Sequence, residues 1–190
     1  MPRNIFQAAI PAIIAFLLLF PLVSTTAAQR RDYMTDAEIE LVRDAQDIDL
    51  RIDVLTKMID RRFTALGIDS GGWKEPAKEA QKWGEAPKGT RLQLLSDVRN
   101  LMQKAVDDVD DVAEHNENTL TQNKTTGKLF PKAVRDFASA SQRYLTVLKP
   151  VSAKTTDEKE KGMILNTIEL CEQVIEAAGT LPPEKPRAKN

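Results

Sequence analysis

The stretch MTDAEIELVRDAQDIDLRIDVLTKMIDRRF, residues 34–63, runs without a glycine or a proline. Leu41, Ala45, Ile48, Ile52, Leu55 and Ile59 step by four and three, the spacing that sets side chains on one stripe of a helix. Val42, Val54, Met58 and Phe63 widen the stripe to the breadth that a bundle core needs. Thr35 followed by Glu38 forms a capping box, and Met34 can pack on Ile39 as a hydrophobic staple. Asp53 and Lys57 are spaced for an i,i+4 ion pair worth a few tenths of a kcal/mol. Gly67 is suited to end the helix after Leu66. Together these features predict one continuous helix over residues 35–66, about 45 Å long.

The same reading extends along the chain. Leu95, Val98, Met102, Ala105, Val109 and Val112 predict a helix over 91–114, beginning near Thr90. Val134, Phe137, Ser141, Tyr144 and Leu148 predict another over 131–149, with Pro131 in its first turn and Pro150 closing it. Ile164, Ile168, Cys171, Ile175 and Ala178 predict a fourth over 157–178, capped by Thr155 with Glu158. No segment alternates at period two, so no sheet is expected. The fold class is all-α: four long amphipathic helices in an up-and-down type of bundle. The first long connection is too extended to be structureless, and EPAKEAQKWG, residues 75–84, predicts one short extra helix over 76–83. Trp73 and Trp83, the two tryptophans, flank it; they either bury the link against the bundle or present a recognition site.

Before the first helix, MPRNIFQAAIPAIIAFLLLFPLVSTTAAQ places Arg3 ahead of an apolar run and small residues at its end. That order predicts a signal peptide over 1–28, cut before Gln29 or before Ala28. The alternative is an uncleaved membrane anchor, since residues 5–23 approach the length of a bilayer span. Residues 29–180 then form a single domain, and 181–190 (LPPEKPRAKN) are expected to be a disordered tail. Removing Arg3 leaves 26 Lys and Arg against 28 Asp and Glu, which gives no footprint for nucleic acid. A lone Cys171 cannot form an internal disulfide and falls on an apolar seam.

The segment DAEIELVRDAQDIDLRIDVLTKMIDRRF, residues 36–63, resembles the first helix of uncharacterised secreted helical proteins of acidobacterial type. The resemblance implies a bacterial exported protein and carries no activity to any residue.

Chemistry is sparse. Asp107, Asp108, Asp110 and Asp111 crowd one stretch of the second long helix, in the half where the dipole favours cations. Lys124, Lys128 and Lys132 returning past them can neutralise the charge; a divalent cation is the other way to do so. Asp107, Asp108, Asp111 and His115 are therefore the candidate metal ligands. His115 is the single histidine, so di-iron, zinc and Cys–His constellations are incomplete, and no cofactor is expected. Neither a phosphate loop nor a serine elbow occurs. The expected function is an exported soluble helical protein acting as a structural or protein-interaction module, periplasmic or extracellular and not an enzyme. Its interaction candidates are Arg43, Arg51, Trp73 and Trp83, and its partner is an envelope protein or a second copy, with no membrane insertion once the leader is cut. The alternative is a binding protein for a small ligand or a divalent cation, and the remotest a helical enzyme.

Overall fold

The computed structural model describes residues 31–115 and 126–183. Residues 1–31 and 32–190 separate into two units. The leader, residues 116–125 with Lys124, and most of the tail lie outside the described residues, as does the side chain of Lys128. Every regular element described is helical: α1 Asp36–Asp44, α2 Ile48–Ala65, α3 Ala80–Trp83, α4 Arg91–His115, α5 Thr126–Lys154 and α6 Glu158–Gly179. A 3₁₀ turn, Ala77–Glu79, leads into α3. None of the described helices is long and apolar enough to cross a membrane.

The opening stretch departs from expectation. It is two helices, not one continuous helix over 35–66, because the backbone leaves the helical region at Ala45 (φ −79°, ψ 82°) and restarts after Asp47. Nothing in local propensity demands a break there; contacts of α1 with distant residues do, as the buried ion pairs described below make plain. Its start matches the sequence reading. Thr35 Oγ1 accepts from Glu38 N at 3.3 Å, and Thr35 N donates to Glu38 Oε2 at 3.0 Å.

The α2 stripe packs on α4 and α5, and α6 packs on the same two helices, whereas α4 and α5 touch only slightly. Asp49 meets Lys132 at 2.8 Å and Asp60 meets Arg143 at 3.7 Å, so α2 and α5 run in the same direction. Lys149–Glu172 and Arg135–Pro182 contacts make α5 and α6 antiparallel, and an Arg91–Glu160 pair sets the starts of α4 and α6 side by side. The core between them includes Ile52, Leu55, Ile59, Leu101, Met102, Phe137, Tyr144, Leu148 and Cys171, all fully or almost fully buried. On α6 the buried side is Ile164, Thr167, Leu170, Cys171 and Val174, with Ile168, Ile175 and Ala178 on its flank.

Helix ends shift in three places. α5 begins before Pro131 and continues through Pro150 to Lys154, because Ser152 is buried and Val151 packs against the core beyond the proline. Asp157, not Thr155, caps α6 by accepting from Lys159 N and Glu160 N, both at 2.9 Å. Thr155 instead closes α5, donating its hydroxyl to Val151 O at 2.8 Å. At the tail, Leu181 packs against the core and Pro182 O accepts from Arg135, so order extends past residue 180.

Candidate functional site

Asp60, Arg61 and Arg62 are consecutive on α2, and a helix turns about 100° per residue, so they radiate to different sides. All three are nevertheless buried, at 2%, 4% and 2% exposure. Two sequence-distant segments cover them: α1, folded back along α2, and the strap of residues 66–90 that joins α2 to α4. Glu38 of α1, with no exposed surface, lies between the two arginines. Arg61 Nη1 donates to Glu38 Oε1 at 2.6 Å, and Arg62 Nη2 donates to Glu38 Oε2 at 2.6 Å. Arg62 Nη1 also donates to Glu38 Oε1, and Arg62 Nη2 reaches Tyr33 O at 2.7 Å. Arg61 holds the strap as well, through Glu75 at 2.8 Å, Glu85 O at 3.0 Å and the Trp83 ring at 5.5 Å. Burial pushes the Glu38 pKa upward, but the Arg62 hydrogen bonds and charge, with Thr35 N–H and Arg61, outweigh it and hold it below the ordinary value.

Asp60 hooks the other part of the strap. Its Oδ1 accepts from Ser70 Oγ at 2.8 Å and its Oδ2 accepts from Trp73 N at 2.8 Å. Gly72 passes so close to this carboxylate that a Cβ there would run into it. Burial raises the Asp60 pKa despite these donors and the nearby Arg143. Below it Tyr144 donates its hydroxyl to Thr56 O at 3.1 Å and packs on Phe63 with ring centroids 5.2 Å apart. Trp73 and Trp83 pack with centroids 5.0 Å apart, and Lys57 Nζ lies 5.7 Å from the Trp73 ring centre.

The strap frames two concave regions. One, of about 470 Å³, lies between the end of α2 and the strap, with apolar walls from Ala65, Ile68, Trp73, Ala86 and Pro87. Lys74 and Glu75 also line it. The other is a groove of about 250 Å³ between α2 and α5, walled by Trp73 and floored by Asp60. A shallower region of about 470 Å³ shares Ser139 and Arg143 with it.

The sequence candidates fare unequally. Trp73 is half-buried and lines both concave regions, whereas Trp83 is 2% exposed and belongs to the core, which corrects its place among the interaction residues. Arg43 is exposed and grips Glu40 at 2.6 Å. Arg51 is structural: its Nε donates to Ala45 O at 3.0 Å and closes the end of α1. Asp107 accepts from Gln103 at 2.8 Å, Asp108 pairs with Lys104 at 3.0 Å, and Asp111 pairs with His115 at 3.2 Å. Burial, Glu114 and Asp107 raise the Asp110 pKa. Among the described residues no group of three or more His, Cys, Asp or Glu is placed to hold a metal ion. Lys132, expected near these acids, pairs instead with Asp49 and Asp136. Cys171 is buried, and burial pushes its thiol pKa up to about 12.

Asp60, Arg61, Arg62 and Arg143 escaped the sequence reading, and Glu38 entered it only as half of the capping box. Three charges in a row, Asp60–Arg62, set between stripe residues Ile59 and Phe63 were the one available sign. Their partners lie 10 to 83 residues away, on the strap, on α1 and just before it, and on α5, a pairing that no local spacing encodes. Compared with models of known protein families, with curated proteins and with solved structures, the chain gave no match.

Proposed function

We propose that this protein is an exported, non-catalytic helical module that docks a partner through the strap. The four long helices alternate in direction along the chain and form a bundle, a rigid base that holds the strap in one shape. The observation that carries the reading is the strap itself, pinned at Asp60 and Arg61 so that an apolar-walled cleft stands open beside half-buried Trp73. Ion pairs buried this deeply are poor sources of net stability, since desolvation offsets their attraction. Their effect is to specify geometry, which is what a docking surface needs. The groups with the most chemical potential are engaged in that task or, like the Cys171 thiol, held un-ionised. The partner is an envelope protein or a second copy that offers an apolar side chain to the cleft. Export follows from the positive, apolar and small-residue order of residues 1–28.

A photoreactive side chain at Lys74, on the cleft lining, tests this against the same group at Arg43. The exported form is used, with Gln29 or Ala28 as its expected first residue. The expected outcome is a discrete crosslinked protein species from position 74 and none from position 43. Crosslinking from 43 alone, or from neither, overturns the strap as the docking surface.

A further inference from the structure

Arg143 lies on α5 where the α2/α5 groove meets the shallower region beside it. Among the described residues its guanidinium donates no hydrogen bond. Its nearest acid, Asp60 Oδ2, stands at 3.7 Å and already accepts from Trp73 N. Arg143 Nε is buried with no partner, although the side chain as a whole is 36% exposed and its cation lies 5.7 Å from the centre of the Tyr144 ring. A buried donor left unmatched is costly, and a guanidinium carries five donors in a fixed fork. Nε itself is sealed, so the donors that the groove can offer to acceptor oxygens are the terminal Nη groups of the guanidinium.

The charges around it decide what kind of acceptor. Arg143 and Lys57 face Asp53, Asp60 and Asp136, and Lys57 and Lys132 are paired to Asp53 and Asp136. An incoming anion would meet Asp60 and Asp136 as well as Arg143, so its attraction is largely cancelled. A neutral ligand bearing several hydroxyls meets no such opposition. It uses the guanidinium and the exposed Ser139 as donors and the carboxylates as acceptors. At about 250 Å³ the groove is below the usual range for drug-sized ligands and suits one of about a dozen heavy atoms. We propose that the α2/α5 groove is a binding site for a neutral sugar unit, with Arg143 as its anchoring donor. This site shares the Trp73 wall with the partner-docking cleft but lies on its α5 side, so sugar binding and crosslinking from position 74 are tested independently.

The test is titration of the purified protein with glucose, galactose, mannose and N-acetylglucosamine, with acetate and inorganic phosphate as the anionic arm. The Arg143 Nε–H and Trp73 indole resonances are followed by NMR. The expected result is a saturable shift of both with at least one sugar, with a Kd of about 1 mM. In Arg143→Met, which keeps the stem and removes the donors, affinity should fall about tenfold or more. Arg143→Lys keeps a cation beside Asp60 while losing the fork, and should show a comparable fall even if the Met variant does not fold. Any of three results overturns the proposal. These are no saturable shift with any sugar up to about 100 mM, tighter binding of acetate or phosphate, or unchanged sugar affinity in a folded Arg143 variant.

Discussion

At the scale of single residues, Glu38 and Asp60 are both buried carboxylates that hold the strap and α1 in place, yet they answer pH in opposite directions. The folded-state pKa of Glu38 lies below its ordinary 4.5. Its contribution is therefore complete above that value and is lost as pH falls through the depressed folded pKa. Asp60 has a folded pKa raised above 3.8 by burial, so the native state binds its proton more readily than the unfolded chain. Ionising Asp60 thus costs stability as pH rises from 3.8 through the raised value. Denaturant titrations across pH should show both. Glu38→Gln should lose about 3–5 kcal/mol at neutral pH, because Arg61 and Arg62 would be left without their shared partner, and its acid-side decline should be shallower than that of the parent. Asp60→Asn should remove the component that declines as pH rises above 3.8. Parallel pH profiles for parent and variants would show that neither carboxylate is linked to folding.

At the scale of elements, the corner between α1 and α2 matters most. On one straight helix Glu38 and Arg61, 23 residues apart, would be separated by about 35 Å. Breaking the helix at Ala45–Asp47 folds α1 back so that they meet at 2.6 Å. Arg51 stabilises the corner by donating to Ala45 O, an orphan carbonyl near the end of α1. Among the described residues Arg43, exposed on α1, pairs with Glu40. Replacing Arg51 with Ala should therefore cost about 1 kcal/mol, whereas Arg43→Ala should stay within about 0.5 kcal/mol. Thermal melts of the two variants check the contrast. Equal effects would mean that the corner does not depend on Arg51.

For the whole molecule, stability rests on the stripes meeting in one core. Ile52 has no exposed surface and lies mid-stripe on α2. Ile52→Asp removes that packing and buries a carboxylate with no partner, a loss of several kcal/mol against a total that is typically about 5–15 kcal/mol. The expected outcome is loss of the cooperative melt seen by circular dichroism. A near-native melt would place Ile52 outside the core.

What the sequence determined by itself is the helical class, the stripes that face inward and the capping box that marks the first helix start. Leu41, Ile52, Leu55, Met102, Phe137 and Leu148 are buried as their spacing requires, and Thr35 caps with Glu38 three residues on. These are short-range matters: periodicity and capping depend on residues within a turn or two of one another. What only the tertiary structure decided is the break at Ala45, the continuation of α5 through Pro150 and the burial of Asp60, Arg61 and Arg62. Each sets a local preference against contacts made with residues far along the chain. A helix without glycine or proline bends because Glu38 finds two arginines. A proline is tolerated because Val151 and Ser152 pack beyond it. Three charged side chains on different sides of α2 are buried because the strap and α1 supply counter-charges and hydrogen-bond partners. Long-range pairing of this kind has no period and leaves no spacing to read, which is why the candidate site was hidden where the core was legible.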